Sequence, residues 1–283
     1  MSVIFAYLFY FFASSLASLQ IRWLTKKRDL PSSHQILFSF QVWCILFLGS
    51  LFFPFFSPFY ISGGLLNLLL LFIVCGIFGS ATASLSMVAQ KHLDAGVSSI
   101  LSNTYTPITI FLSSLLLNEG LSSVQIFGTV LLLLAVFLIS KKHRIGKFKF
   151  DKYFTYALLG GLSLGILLVA ERALQKLTGF TAGTMLSWGS QALFLGILAW
   201  HVGGKHAYKT KDVLYTGALR FIGSFSYVFL VYIAGNLSMV SAITTFKVIV
   251  MFIVGAVFLH EREDMPRKIL GSLVALVGLL LMK

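Results

Sequence analysis

Apolar residues in this chain neither alternate nor recur on one side of a helical period; they fill long continuous runs. The runs extend, approximately, over Ile4 to Leu24, Gln35 to Phe56, Gly64 to Val88, Val97 to Leu117, Val124 to Ser140, Phe154 to Leu174, Ala182 to Val202, Val213 to Ala234, Leu237 to Leu259 and Ile269 to Met282. A helix needs about 20 such residues to cross the hydrocarbon core of a bilayer. Membrane-spanning strands would instead show alternating segments of about ten residues, so these runs predict helices, which satisfy their own backbone in lipid. The expected fold is an all-α integral membrane protein of ten transmembrane helices, with connections too short for a soluble domain. The first run is followed by Lys26, Lys27 and Arg28 and has no positive residue before it. It is expected to act as an uncleaved signal-anchor.

Composition sharpens this picture. A chain with 58% hydrophobic residues, 11% charged residues and mean hydropathy +0.91 cannot cover itself with a solvated surface. The net charge of +13 is not the footprint of a nucleic-acid binder, because the 22 Lys and Arg are scattered through short connections. Control of membrane topology explains them better. Cys44 and Cys75 both lie in apolar runs and read as buried thiols.

The most basic connection, Lys141 to Lys152, divides the chain near its middle. Shifting one half onto the other by 150 residues brings Arg22 onto Arg172, Leu24 onto Leu174, Lys26 onto Lys176 and Gln41 onto Gln191. Further along the shift becomes about 142, where Ser99 meets Ser241 and Glu119 meets Glu261. Two repeats of five spans, 1–144 and 145–283, follow. Five is odd, so the two must lie in opposite orientations, the inverted-repeat plan of many secondary transporters.

Within that plan, Pro107 in span four, Glu119 twelve residues later and Gly128 in span five are similar to the pattern of the EamA-like transporters of the drug/metabolite transporter superfamily. The second half keeps Glu261 and Gly271 but has no proline in span nine, and Gln41 stands where the family often carries Arg. The resemblance implies secondary transport, commonly export of amino acids or other small metabolites, through a cavity between the halves. It also implies cytoplasmic termini.

Ionisable residues deep in a span face a cavity or a partner by default. Lys247, near the middle of span nine, shares a helical face with Thr244 and Met251; Arg220, in span eight, stands above Ser224 and Tyr227 on one stripe. Together they predict a positive cavity for a carboxylate or phosphate, unless they merely cap carbonyls or snorkel to the interface. Span four carries a polar stripe, Ser99, Ser102, Asn103, Thr106, Thr109 and Ser113, beside Pro107, which removes a helical hydrogen bond. The stripe either contacts solute, Asn103 foremost, or joins helices. Gln41 and Gln191 are expected to approach the same central space from opposite halves. Glu171 is a proton-coupling candidate, although its place near the end of span six also suits an interfacial role. Glu119 and Glu261 each suit the N-terminus of the following helix. Gly76, Gly79, Gly160, Gly161 and Gly165 suit close helix packing.

The sequence therefore predicts a multi-pass plasma-membrane transporter of a small polar metabolite, an amino acid or other carboxylate- or phosphate-bearing solute. It would work by alternating access, as an exporter or exchanger, driven either by a coupling ion or by solute exchange, and with no cofactor. The competing reading is a membrane-embedded enzyme acting on a lipid or small polar substrate. All six histidines lie at or beyond span ends, no HExxH occurs, and no glycine cluster has a nucleotide-binding context. A channel would call for rings of charge.

Overall fold

The computed structural model describes residues 3–28, 31–52, 57–62, 64–93, 101–140, 152–203, 208–247, 249–250 and 265–282. The basic connection after Ser140, together with Ser99, Met251, Glu261, His143, His206 and His260, lies outside these residues. Within them are ten helices: α1 (Val3–Arg28), α2 (Ser32–Ser50), α3 (Leu65–His92), α4 (Tyr105–Leu117), α5 (Ser123–Ser140), α6 (Lys152–Thr178), α7 (Phe180–Val202), α8 (Thr210–Ala234), α9 (Leu237–Thr244) and α10 (Met265–Leu280). Helices α1, α2, α3, α6, α7 and α8 are long and apolar enough to cross a membrane, while α4, α5 and α10 offer shorter apolar segments.

The burial pattern is that of a molecule whose solvent is lipid. Ile4, Phe5, Phe12, Leu66, Phe111, Leu115, Phe127 and Leu273 point outward, whereas Thr106, Thr109, Ser113, Glu171, Ser187, Gln191, Ser241 and Thr245 are buried inside. Lipid tails are as apolar as leucine, so helix association rests on close packing and interhelical hydrogen bonds among small polar residues. The predicted glycines serve that packing. Gly76 receives Phe194, Gly79 receives the Gln191 side chain, and Gly161 and Gly165 let the backbone carbonyls of Leu101 and Tyr105 approach α6.

Spans four and nine are not continuous, which corrects the expectation of unbroken runs. In span four a helical turn at Leu101 and Ser102 gives way to a turn at Asn103 and Thr104 before α4 begins. The cause is local: a proline ring at position 107 conflicts with the carbonyl four residues earlier, that of Asn103. In span nine α9 stops at Thr244, a turn covers Thr245 and Phe246, and helix resumes at Lys247. No proline acts there. Instead the Thr244 and Thr245 hydroxyls both donate to the Ser241 carbonyl, at 3.0 and 3.2 Å, a side-chain bond that bends helices.

The two interruptions touch. Thr106 Oγ1 and Thr245 Oγ1 lie 2.9 Å apart, and Ser113 Oγ and Ser238 Oγ 2.6 Å, so α4 and α9 run antiparallel. Helices α2 and α7 are antiparallel too, with Gly189 receiving Phe47 and Gly196 receiving Phe40. Helices α5 and α10 pair through Gly128 and Gly278, each close to the other's carbonyl.

Candidate functional site

A cavity of about 320 Å³ lies at the level of the two interruptions. Its wall is built mainly by α1, α2, α3, α6 and α8, with Ser102, Asn103 and Tyr105 from span four, Trp188 from α7 and Lys247 from span nine. The lining reaches Arg22, six residues before the end of α1, and Gln90, in the last turn of α3. Of the residues expected at a solute site, Lys247, Arg220, Tyr227, Ser102, Asn103 and Glu171 line this space.

Lys247 stands at the inner end. Its Nζ lies 5.7 Å from the centre of the Tyr10 ring and 5.4 Å from that of Tyr105, so two aromatic faces hold the ammonium. The Ser15 hydroxyl sits 3.5 Å from the Lys247 carbonyl and ties α1 to the resumed helix. Tyr10 also packs against Tyr227, ring centres 5.7 Å apart, and the Tyr227 hydroxyl shares a hydrogen bond of 2.8 Å with Ser241. Arg220 is exposed within the protein because its surface faces the cavity. The predicted stripe of Arg220, Ser224 and Tyr227 falls entirely on the wall. Among the described residues, neither Lys247 nor Arg220 forms an ion pair; those found there are both to Glu119.

Glu171 is buried, and α6 continues two turns beyond it to Thr178, so it does not stand at the helix end. The Ser187 hydroxyl donates to its Oε2 at 2.8 Å, and Gln191 Nε2 donates to Ser187 Oγ at 3.1 Å. Gln191 is thus buried between α3 and α7 and reaches the cavity only through Ser187 and Glu171, not as a lining residue. Gln41 is half-buried and off the wall. On α2 the wall is the stripe Phe38, Ser39, Val42, Trp43 and Leu46, and position 41 lies about 130° around the helix from its middle.

The polar face of span four divides. Ser102 and Asn103 line the cavity, while Thr106 and Ser113 bond across to α9, so both readings of the stripe apply to different parts of it. Thr244 is likewise off the wall, 3.5 Å from the Tyr105 hydroxyl. Tyr10, Tyr105 and Trp188 carry no signal in the sequence that marks them for the wall, and Arg22 is marked there only by the repeat register. Tyr10 is hidden in the aromatic run Phe9 to Phe12, and Tyr105, three residues after Ser102 and four before Thr109, lies at the edge of the polar stripe but reads as an aromatic packing residue.

Beyond the cavity's inner end, Glu119 gathers α4, α6 and α9. Its Oε1 pairs with Arg172 Nε at 3.0 Å and Lys176 Nζ at 2.7 Å, and its Oε2 accepts the Leu237 N–H at 2.7 Å. This corrects the expectation that Glu119 serves the next helix: it caps α9, brought beside it by the antiparallel packing. Burial opposes its charge, but Lys176, the Leu237 N–H and Arg172 prevail and hold its carboxyl below the usual carboxylate range. Lys176 also donates to the Leu117 carbonyl at 2.9 Å, and Asn236 to that of Gly120 at 3.0 Å, so this end is tied by several bonds.

Comparison with known proteins agrees with the architecture. The model of the EamA-like transporter family matches residues 1–141, half of the chain. A solved crystal structure is similar over 99% of this chain and 96% of its own, with a TM-score of 0.68 at 13% identity, which speaks for the fold alone. No curated protein matches the chain by sequence.

Proposed function

Because this chain belongs to the EamA-like transporter family of multi-pass membrane transporters, we propose that it is a secondary active transporter of the plasma membrane. Its solute is a small polar metabolite bearing a carboxylate or phosphate, such as an amino acid or organic acid, moved by export or exchange. The observation that carries this reading is the cavity at the two helix interruptions, with Lys247 at its inner end and without a carboxylate partner among the described residues. Interrupted helices with exposed backbone are tolerated at membrane depth where they line a cavity, and transporters use them to hold solute.

Ten spans arranged as two inverted repeats, 1–144 and 145–283, complete the proposal. Support comes from paired contacts: α1 packs on α8 as α3 packs on α6, and α2 on α8 as α3 on α7. The two interruptions also correspond, since a shift of 142 carries Asn103 and Thr104 onto Thr245 and Phe246. Glu171 is the proposed proton-coupling group, a buried carboxylate on the cavity wall that accepts from the Ser187 hydroxyl. Alternating access would rock the halves about the Thr106 and Thr245 contact.

Reconstituted protein tests this directly. Proteoliposomes should show saturable, protein-dependent flux of an anionic solute without chemical conversion, and Lys247→Met should remove it while the protein stays folded and inserted. Glu171→Gln should retain exchange of solute for solute but lose uptake driven by a pH gradient. Turnover of a substrate to a product without flux would overturn the transporter reading.

A further inference from the structure

The cationic residues of the cavity are anchored at successive levels along it. Lys247 lies at the level of Tyr10 and Tyr227, whose rings pack together. Arg220 precedes Tyr227 by seven residues, which puts its backbone about 10 Å along α8 from that level. The direction is toward the end where α1 finishes, because Gly223 packs on Ser14 while Tyr227 packs on Tyr10. Arg22 follows Tyr10 by twelve residues, about 18 Å along α1 in the same direction. The three cations therefore stand successively along one wall. Glu171 is the lone carboxylate lining the described cavity, and its Oε2 already accepts from Ser187.

Resting on the transporter reading above, we propose that the solute is a small organic dianion with its two anionic groups at opposite ends, of the dicarboxylate class. One carboxylate would meet Lys247 between the Tyr10 and Tyr105 rings, and the other the Arg220 fork. Arg22, nearer the end of α1, attracts the anion into the cavity without holding it in the site. The hydroxyls of Ser14 and Ser224 lie on the wall between the two cations and can donate to the solute. Among the described residues the two cations of the site, Lys247 and Arg220, are anchored at separate levels, so a dianion gives each of them a carboxylate partner. A zwitterionic amino acid such as alanine offers a carboxylate to only one of the two cations and adds a positive charge beside them. A monocarboxylate would leave one cation uncompensated. A single phosphate group places both charges at one end and leaves the other cation without a partner.

The test uses the full chain in proteoliposomes, with succinate, acetate, alanine and inorganic phosphate as probes, and thermal stabilisation by the same four solutes in detergent. Succinate should give saturable uptake and stabilisation, with the other three at least about tenfold weaker, the loss of one charge-assisted bond. Arg220→Met should lower succinate affinity at least about tenfold while leaving acetate nearly unchanged, so that discrimination between them collapses. Unfolding temperature and elution profile of the variant separate this from misfolding. If Arg220→Met does not fold, Arg220→Lys serves, with a smaller loss confined to succinate. Alanine, acetate or phosphate taken up as well as succinate would overturn the dianion proposal and leave transport standing. Protein-dependent flux of none of the four would overturn it, and a wider solute panel showing no flux either would remove the transport reading as well.

Discussion

At the scale of single residues the most constrained group is Glu119, which is 6% exposed while its partner Lys176 is 42% exposed. Removing one member of a buried pair costs about 3–5 kcal/mol, and the exposure of Lys176 lowers that, so Glu119→Gln should cost about 2 kcal/mol. The pH dependence has a defined sign. A carboxyl depressed by its folded-state partners stabilises the protein above its unfolded value, about 4.3, and that contribution fades as pH falls through the lower folded value. Between about pH 5 and pH 3 the unfolding temperature of the parent should therefore drop more steeply than that of Glu119→Gln. Parallel curves would show that the ion pairs contribute nothing. Individual residues were legible in the sequence where burial of a charge is costly in itself, as with Lys247, Arg220 and Glu171. They were illegible where the role depends on a neighbour from another helix. Nothing local to Glu119 shows that antiparallel packing brings Leu237 to it, and nothing local to Gln41 shows which side of α2 meets the cavity.

Elements were read with similar asymmetry. Continuous apolar runs give helices because lipid leaves the backbone no other partner, and the long helices fall where the runs do. The interruption of span four was foreshadowed by Pro107, whereas that of span nine arises from two threonines that any helix could carry, and only the Ser241 carbonyl they share reveals it. Both interruptions depend on close support. A methyl group on Gly161 would collide with Thr104 Oγ1 and the Leu101 carbonyl, a backbone atom that cannot swing aside. Gly161→Ala should destabilise by about 1–3 kcal/mol and reduce flux, as overpacking does. Gly64→Ala, at the N-cap of α3 with nothing near its added methyl, is the control without a steric clash and carries only a capping cost. Equal unfolding temperatures for the two would refute the packing argument. Thr245→Val removes the hydroxyl that meets Thr106 while keeping shape, and should cost about 1 kcal/mol in detergent unfolding.

For the whole molecule the open variable is its direction in the membrane, and here charge opposes the orientation implied by the family resemblance. Seventeen of the 22 Lys and Arg lie at the connections after spans one, three, five, seven and nine: Arg22, Lys26, Lys27, Arg28, Lys91, six from Lys141 to Lys152, Lys205, Lys209, Lys211, Arg262, Arg267 and Lys268. The opposite end holds Arg172, Lys176 and Lys283, and two of these three are absorbed by Glu119. The positive-inside rule counts basic residues in short connections, and these connections are short. It places the basic end in the cytoplasm and both termini outside. In that orientation the cavity lining, which extends to Arg22 and Gln90, points toward the cytoplasm, and the Glu119 cluster ties the outer end. A fluorescent reporter that matures only in the cytoplasm, fused after Lys283, should leave cells dark, while a reporter active only outside should give signal. Bright cells would reverse the assignment. The cavity would then extend toward the exterior, with Glu119, Arg172 and Lys176 tying the cytoplasmic end.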